Sequence, residues 1–481
     1  MQHTFPNLLS QAKTTAPKGH SSKQTRPTYN FVFSNNWKFS RSIDRPISLA
    51  AEFGELPFDL NLAALTDHAR RPLTRLEADL IWLAMSVYLS DRFALRNPFG
   101  QKGLSFWRRK ICVEIPVAYP NVWANAKDLL TNALEFLTED DWSFEFVDGR
   151  SEFEAEVQQY FPVESRQDFN WTALFSGGLD SMAGSLQWLN RSEGAGLLVS
   201  GQTHNRIAVE QSEQAAELRS LFPGKVEHVG IKYGIPDKMG VKGTEVTQRT
   251  RAFIHIALGA VAALRSGCNG LMLFENGFGA LNLPCDRAQF GSQNSRGTHP
   301  VFLKRMGELI AVAFDRDFQV CNPFLPMTKA HMLPDSGSKP IVRLLQKTFS
   351  CDRFPNYPRK ASQCGRCPSC LIRRLSLFAA GLPDACASYS TNVLNSERRI
   401  GNIELESLSK LTTQADVLAR SLGSRDPWGA LCQRWPDLLL TERELEDATF
   451  RGKTISLLRD HVEEWRSFSR ETCRESSALA A

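Results

Sequence analysis

A chain of 481 residues is longer than one ordinary domain, and about 150 residues per domain predicts roughly three domains. Its hydrophobic fraction of 42% and charged fraction of 23% exclude a disordered chain, and no apolar stretch reaches the roughly 18 to 20 residues that span a bilayer. The net charge of +5 is a weak basic bias, which leaves nucleic-acid binding open without favouring it. We therefore expect a cytoplasmic protein with no membrane partner.

The first predicted segment, residues 1–28, is rich in Ser, Thr, Lys, Gln and Pro, a composition typical of a flexible leader. Residues 29–165 predict an α+β accessory domain. Alternating apolar residues at 30–33 indicate a strand, and apolar residues at helical spacing predict a helix over 73–92 with Thr74 as its N-cap. This segment carries no chemical motif.

The next predicted segment, residues 166–381, alternates short apolar runs with longer helical patterns, which is typical of βαβ units. The expected strands lie at 172–176, 196–201, 225–231, 270–276 and 318–322. Helices are expected at 208–221 and 246–265. Residues 382–481 then predict a charged helical region. The fold class expected is α/β, a parallel-sheet core flanked by an α+β N-terminal and a helical C-terminal accessory region.

A glycine-containing hexapeptide lies where the first strand of this core ends and a helix begins; it reads Ser176, Gly177, Gly178, Leu179, Asp180, Ser181. The glycines let backbone N–H groups turn toward one point, and the helix N-terminus adds its positive end. The two serine hydroxyls can donate to phosphate oxygens, and Asp180 is suited to hold Mg²⁺. The alternative is a tight turn with an ordinary helix cap, but its position at a strand-to-helix junction favours a phosphate loop.

Four cysteines form the second motif, with the spacing C-x12-C-x2-C-x2-C: Cys351, Cys364, Cys367 and Cys370. Four thiolates suffice for tetrahedral Zn²⁺, and a tight turn at Gly365 would let two of them reach one ion. A site closed by four sulfurs has no position for water, so we expect a structural zinc coupled to folding. An iron–sulfur cluster or a redox-active cysteine pair are the alternatives.

The order of these two motifs resembles the QueC family, which converts 7-carboxy-7-deazaguanine to its nitrile with ATP and ammonia. The hexapeptide resembles the PP-loop of the ATP pyrophosphatases, and the resemblance covers about residues 170–380. It implies a PP-loop core, ATP and Mg²⁺ as cofactors, Zn²⁺ at the cysteines, and cleavage of ATP between its α and β phosphates.

The resemblance also implies roles for residues between the motifs. Asp180, Arg251 and Lys329 would act on the phosphates, whereas Glu275, Asp286 and Arg287 would bind the deazaguanine substrate. Arg251, Glu275 and Lys329 each have a simpler interpretation as a charge near the surface of a helix or a strand end.

The sequence departs from the family at Ala252, where Asn is usual, and at His331, where Glu is expected. The accessory regions resemble those of QueC-like proteins from anti-phage defence operons. We expect adenylation of a carboxylate, followed by amide or nitrile formation with ammonia or with an amine of an operon-encoded partner protein. A homodimer, a catalytically idle nucleotide-binding scaffold and a PP-loop enzyme that modifies RNA remain open.

Overall fold

The computed structural model describes residues 28–34, 39–44, 58–69, 71–96, 108–149, 169–235, 244–245, 247, 249–285, 295–334, 338–352, 354, 363–384, 389–391, 393 and 402–479. Apart from Thr28, the predicted leader at residues 1–28 lies outside them. Among the described residues, no helix has the length and apolar composition needed to cross a membrane.

The described strands are β1 (Thr28–Phe33), β2 (Phe39–Asp44), β3 (Asp59–Asn61), β4 (Lys110–Val117), β5 (Asp141–Asp148), β6 (Trp171–Leu174), β7 (Gly196–Gln202), β8 (Val226–Gly234), β9 (Gly270–Leu273) and β10 (Gln319–Cys321). The described helices are α1 (Ala63–Ala69), α2 (Arg75–Phe93), α3 (Pro120–Asn125), α4 (Lys127–Thr138), α5 (Leu179–Arg191), α6 (Asn205–Leu221), α7 (Arg251–Arg265), α8 (Gly277–Leu281), α9 (Pro300–Phe314), α10 (Lys329–Met332), α11 (Lys339–Lys347), α12 (Pro368–Ala379), α13 (Asn402–Leu422), α14 (Pro427–Arg434), α15 (Asp437–Leu445) and α16 (Phe450–Leu479).

These strands form two sheets. The smaller has the order β2-β1-β4-β5, and the larger has the order β10-β9-β6-β7-β8-β3. In the larger sheet β10, β9, β6, β7 and β8 are parallel, and β3 is antiparallel to β8. The predicted α/β fold with a parallel sheet is confirmed, and each of the five strands predicted in this sheet is present.

Two predicted boundaries differ from the structure for local reasons. The strand predicted over 270–276 ends at Leu273, because Asn276 caps helix α8 by accepting a hydrogen bond from the N–H of Gly279 at 2.9 Å. The helix predicted over 246–265 begins at Arg251. The preceding turn is fixed because Asp91 accepts hydrogen bonds from both the N–H and the hydroxyl of Thr250, at 3.1 and 3.0 Å.

Helix α2 is the main structural element of the N-terminal segment. Its predicted N-cap is confirmed, since the Thr74 hydroxyl accepts from the N–H of Glu77 at 3.2 Å and the Glu77 carboxylate accepts from the N–H of Thr74 at 2.8 Å. Nearly all of α2 is buried, and it packs against α7, the helix that lies on β6, β7 and β9 of the larger sheet. The same Glu77 pairs with Arg265 at 2.9 Å. Helix α2 therefore joins the N-terminal segment to the predicted core.

A short strand that the sequence analysis did not predict also links these parts of the chain. Strand β3 pairs Asp59–Asn61 with the end of β8, and so extends the larger sheet with residues from the N-terminal segment. One buried hydrophobic cluster includes residues of both sheets and of α2, α7 and α9. The domain boundaries at 165 and 381 stay predictions.

The C-terminal residues 402–479 are helical, as expected, and consist of α13 to α16 with short connections. Their buried side chains share a hydrophobic cluster with Leu281 and Leu283, which follow β9. Two polar contacts reinforce this packing: Gln414 donates to the carbonyl of Leu283 at 2.6 Å, and the Trp435 indole donates to the carbonyl of Pro284 at 3.0 Å. The C-terminal helices thus cover the segment that leaves β9.

Candidate active site and metal centre

The candidate active site lies at the carboxyl ends of three adjacent parallel strands. The glycine-rich hexapeptide follows β6, Glu275 and Asn276 follow β9, and the segment leading to Lys329 follows β10. The chain runs from β6 to β7 on one side, and later enters β9 on the other, so the strand order reverses at β6. Such a reversal opens a crevice at the carboxyl edge of a parallel sheet, where ligands commonly bind.

The hexapeptide forms a turn that suits an anion. Gly177 has φ +79°, a left-handed conformation that favours glycine, and Gly178 occupies the N-cap of α5 without a side-chain cap. The Ser176 hydroxyl accepts from the N–H of Gly178 at 3.2 Å and donates to the Ser181 hydroxyl, 3.1 Å away. The first turn of α5 thus presents backbone N–H groups and hydroxyls together, as phosphate-binding turns do.

Buried polar side chains hold the strand end just before this turn. Gln211 donates to the carbonyls of Phe175 and Ser176 at 3.3 and 3.1 Å, and the Ser200 hydroxyl donates to the same Phe175 carbonyl at 2.6 Å. Ser200 also lies 2.8 Å from Nε2 of His228. Burial lowers the pKa of His228 to about 4, so this ring is neutral at pH 7 and acts as a hydrogen-bond partner rather than a cation.

A charged cluster faces the start of α5. The Lys329 ammonium lies 2.6 Å from Oδ2 of Asp180, and both side chains are largely buried, with 10% and 13% exposed. The Asn276 amide donates to Oδ1 of Asp180 at 3.0 Å and to Oε1 of Glu275 at 2.6 Å. A single amide therefore brings the two carboxylates together beside one lysine. Converging carboxylate oxygens suit a hard cation such as Mg²⁺.

The protonation of this cluster follows from its burial and charge. Burial and then the charge of Asp180 raise the pKa of Glu275 to about 8, so Glu275 holds its proton at pH 7. Burial alone would lower the pKa of Lys329, but Asp180 and Glu275 outweigh that effect and raise it. At neutral pH the cluster consists of an ion pair between Lys329 and Asp180 next to a neutral carboxylic acid.

The structure brings together only part of the predicted set. Asp180, Glu275 and Lys329 meet, whereas Asp286 and Arg287 lie outside the described residues. Arg251 is exposed at the start of α7 and acts electrostatically on Tyr88, Tyr233 and His255. Within the described chain it makes no hydrogen bond or ion pair to the hexapeptide or to the charged cluster. The predicted roles of all these residues stay predictions.

Sequence reasoning missed Asn276 as a member of this cluster. The signal was present, because Asn276 follows Glu275 directly at a predicted strand end. An amide with both a donor and an acceptor can bridge two carboxylates and cap a helix at once, and Asn276 does both. Asn322 similarly ties the β9 and β10 ends, since its amide donates to the carbonyl of Glu275 at 2.7 Å.

The four predicted metal ligands come together. The Sγ atoms of Cys351, Cys364, Cys367 and Cys370 all lie within 4.8 Å of one another. The Sγ atoms of Cys364 and Cys370 are 3.9 Å apart, close to the roughly 3.8 Å edge of a tetrahedron with Zn–S bonds of about 2.3 Å. Backbone N–H groups of Cys364 and Cys367 donate to the sulfurs of Cys351 and Cys364, at 3.4 and 3.3 Å. The donor set and its size fit a structural Zn²⁺ ion.

The turn predicted at Gly365 is present and depends on glycine. Gly365 has φ +77°, and a Cβ atom there would lie 1.9 Å from the carbonyl oxygen of Thr391. The N–H of Thr391 in turn donates to the carbonyl of Cys364 at 3.2 Å. Close approach of the 389–391 segment thus fixes the turn that holds two of the ligands.

The metal centre is linked to the hexapeptide by the residues before Cys351. The N–H of Phe349 donates to the carbonyl of Gly177 at 3.4 Å, and a Cβ at Gly177 would lie 3.0 Å from the Phe349 ring. The Phe349 ring stacks on Phe354 at 3.9 Å, and the Arg206 guanidinium lies over Phe354 at 4.8 Å. A metal ligand is therefore two residues from a side chain that packs against the phosphate turn.

Comparison with known proteins agrees with these motifs. Residues 297–381 match the family model described as queuosine biosynthesis protein QueC. The chain is QueC-like. A curated 7-cyano-7-deazaguanine synthase from Psychromonas ingrahamii is 29% identical over 199 residues, covering 40% of this chain and 76% of that relative. No solved structure matches the chain.

The QueC match has a clear extent within the fold. It includes Lys329 and all four cysteine ligands, and it ends close to the end of α12. The hexapeptide after β6 lies outside the matched residues, as do α2 and the C-terminal helices α13 to α16. The family match therefore covers the cysteine cluster and Lys329, whereas the role of Lys329 and the identity of the hexapeptide as a PP-loop stay predictions.

Proposed function

We propose that this QueC-like protein is a ligase-type enzyme that uses ATP to activate the carboxylate of a 7-deazaguanine-type base as an adenylate. The observation that carries the proposal is the Asp180–Lys329 ion pair at the start of α5, next to a glycine turn suited to phosphate. The name of the curated relative, a 7-cyano-7-deazaguanine synthase, supports the class of base.

The proposed chemistry has two steps. A substrate carboxylate oxygen attacks the α-phosphorus of ATP, the bond to the bridging oxygen breaks, and pyrophosphate leaves. The nitrogen of an amine then attacks the acyl carbon, AMP leaves, and the amine loses a proton, which gives an amide. With ammonia as the amine, the amide oxygen can attack the α-phosphorus of a second ATP, which breaks the bond to the bridging oxygen and releases a second pyrophosphate. Loss of AMP and protons from that product gives a nitrile.

The described side chains have distinct parts in this scheme. Backbone N–H groups at Gly178 and beyond, with the hydroxyls of Ser176 and Ser181, would hold the phosphates. Lys329 would leave Asp180 to neutralise the departing pyrophosphate, a form of electrostatic stabilisation that is worth several kcal/mol in many enzymes. Mg²⁺, when bound near Asp180 and Glu275, would neutralise further phosphate charge.

Three assignments extend the proposal beyond the described contacts. Arg251 would reach the nucleotide from the start of α7, and Asp286 with Arg287 would bind the base. The Leu283 to Cys285 segment that leads to these two residues is held by the C-terminal helices. We further propose that the acceptor is either ammonia or an amine of a partner protein, in a defence context.

The proposal is tested by product analysis. The purified protein is incubated with ATP, Mg²⁺, 7-carboxy-7-deazaguanine and ammonium, and nucleotides and bases are separated and identified by mass. We expect AMP and pyrophosphate, with amide or nitrile. Lys329→Met should lower the rate of AMP formation by at least about a hundredfold. The matched control is Lys453→Met, a half-exposed lysine of α16 that should behave as the unaltered protein.

Other products would identify other functions. ADP with phosphate would contradict cleavage at the α-phosphorus. No nucleotide turnover, together with tight ATP binding, would indicate the idle scaffold. Repeating the reaction with neighbouring gene products and measuring intact masses distinguishes a protein acceptor from ammonia, and replacing the base by RNA tests the RNA-modifying alternative.

A further inference from the structure

The long C-terminal helix α16 contacts the segment that carries the candidate catalytic lysine. Oε1 of Glu464 accepts a hydrogen bond from the Thr328 hydroxyl at 2.5 Å. Thr328 is the N-cap of the short helix α10, and its hydroxyl accepts from the N–H of His331 at 3.2 Å. Lys329, the next residue, forms the ion pair with Asp180. Glu464 thus lies one hydrogen bond away from the cap that orients Lys329.

The direction of these hydrogen bonds follows from the atoms available. A threonine hydroxyl has one hydrogen to donate, and here its oxygen already accepts from the N–H of His331. Its hydrogen is therefore directed to Glu464, which must offer an oxygen that carries no proton. Without Glu464, the Thr328 hydroxyl loses the partner that fixes its rotation, and the cap that begins α10 is weakened.

A second contact from the same helix reaches the other side of the site. The His461 ring stacks on Phe278 with centroids 3.7 Å apart. Burial lowers the pKa of His461 to about 4, so this contact is between neutral rings at pH 7. Phe278 belongs to α8, which Asn276 caps, and a Cβ at Gly277 would lie 2.6 Å from the Leu457 side chain of α16. One face of α16 therefore packs against the segments after both β9 and β10.

A purely surface role for Glu464 does not fit its surroundings. Glu464 is only partly exposed, and burial raises the pKa of its carboxyl group. Its neighbour Glu463 is exposed, as expected for a residue on the solvent face of a helix. Asp460, one turn earlier, lies 3.9 Å from His331 in an exposed pair, which brings a second acidic residue of α16 to the same helix α10.

We infer that α16 completes the candidate active site and that Glu464 is a positioning residue, which holds Thr328 so that α10 presents Lys329 to Asp180. The catalytic part of this inference rests on the proposed function, whereas its geometric part does not. It follows that the C-terminal region cannot be removed without disturbing the site, although the family match ends before that region begins.

The inference is tested with Glu464→Ala and Glu464→Gln in the full-length chain, with Glu463→Ala as the matched control. Hydrogen exchange measured by mass spectrometry reports the N–H of His331 in a peptide that spans α10. We expect exchange there to accelerate about fivefold in Glu464→Ala, the effect of losing a helix cap. It should be little changed in Glu464→Gln, whose amide oxygen can still accept, and in the control.

Activity gives the second measurement. The rate of AMP formation should fall about tenfold or more in Glu464→Ala, because small displacements of a catalytic group are costly. Glu464→Gln should stay within about threefold of the unaltered protein. If Glu464→Ala does not fold, Glu464→Leu keeps a side chain of similar bulk without an acceptor oxygen, and it is compared with Glu464→Gln by the same two measurements.

The outcomes separate the two proposals. If the unaltered protein makes no AMP, the proposed function fails, and hydrogen exchange still decides the positioning role. Unchanged exchange at α10 in Glu464→Ala would overturn the inference whatever the activity. Equal losses in Glu464→Ala and Glu464→Gln would also overturn it, since they would show that the acceptor oxygen is not what matters.

Discussion

Removal of Asp180 tests how the buried lysine is neutralised. At 2.6 Å and an effective dielectric constant of about 20, the attraction between Asp180 and Lys329 is roughly 6 kcal/mol before desolvation is subtracted. Breaking a largely buried pair by removing one partner typically costs about 3 to 5 kcal/mol, because the remaining charge is left uncompensated. Taken alone, this reasoning would make Asp180→Ala severely destabilising.

Glu275 changes that expectation. Burial and then the charge of Asp180 raise its pKa to about 8, so removal of Asp180 lets Glu275 ionise and pair with Lys329. We therefore expect Asp180→Ala to cost about 1 to 2 kcal/mol at pH 7. The double variant Asp180→Ala with Glu275→Gln has no compensating carboxylate and should lose about 3 to 5 kcal/mol. Glu275→Gln alone replaces a group that is neutral in the folded protein at pH 7 but ionised in the unfolded chain, so it should leave stability at pH 7 unchanged or raised.

The assay is urea unfolding followed by circular dichroism at several pH values. A carboxyl whose folded-state pKa is raised stabilises the protein most below its unfolded pKa, and that stability is lost as pH rises toward about 8. Glu275→Gln should therefore match the unaltered protein below about pH 4.5 and become increasingly more stable than it as the pH rises from there toward about 8. The reasoning is refuted if Glu275→Gln alone is as destabilising at pH 7 as the double variant, because Glu275 would then already be ionised.

Two further substitutions, each with a matched control, test the phosphate turn and the metal centre. Gly177→Ala should lower the free energy of unfolding by about 1 to 3 kcal/mol and abolish ATP binding measured by calorimetry. The control is Gly224→Ala, where φ is +73° but no atom lies within 4 Å of the added Cβ, so only the backbone conformation is penalised. Equal effects of the two substitutions would mean that Phe349 does not restrict the turn. Metal analysis should find one Zn²⁺ per chain, and Cys367→Ser should lower metal content and unfolding temperature while Cys321→Ser does not. Iron, or folded protein without metal, would contradict this.

Local patterns predicted much of the fold because they reflect local physics. The N-cap at Thr74, the strands of the parallel sheet and the cysteine spacing depend on residues close in sequence, and the structure confirms them. Strand β3 was missed because three residues, Asp59–Asn61, carry too little alternation to signal a strand. Its existence depends on the free edge of β8, which lies far away in the chain.

The candidate site was predictable in part. Asp180 was proposed from the hexapeptide at a strand-to-helix junction, whereas Glu275 and Lys329 were proposed from the resemblance to the QueC family. The structure brings these three side chains together. Their order in the chain carried no information about the Asn276 bridge or about Glu464. Both depend on side-chain geometry and on packing between segments distant in sequence. Nor could charge alone show that Glu275 stays protonated at neutral pH, since that depends on its burial.

The pairing of β3 with β8 covers part of a sheet edge that could otherwise pair with another chain. An uncovered edge strand offers a row of backbone donors and acceptors to any other chain, and β8 is the longest strand of the larger sheet, Val226–Gly234. Strand β3 occupies the carboxyl-terminal end of that edge at the register of Asp59 opposite Gly234. A truncated chain that begins after β3 would bare these hydrogen-bonding groups. We expect such a truncation to form sheet-rich aggregates, even though the proposed catalytic residues would all be retained.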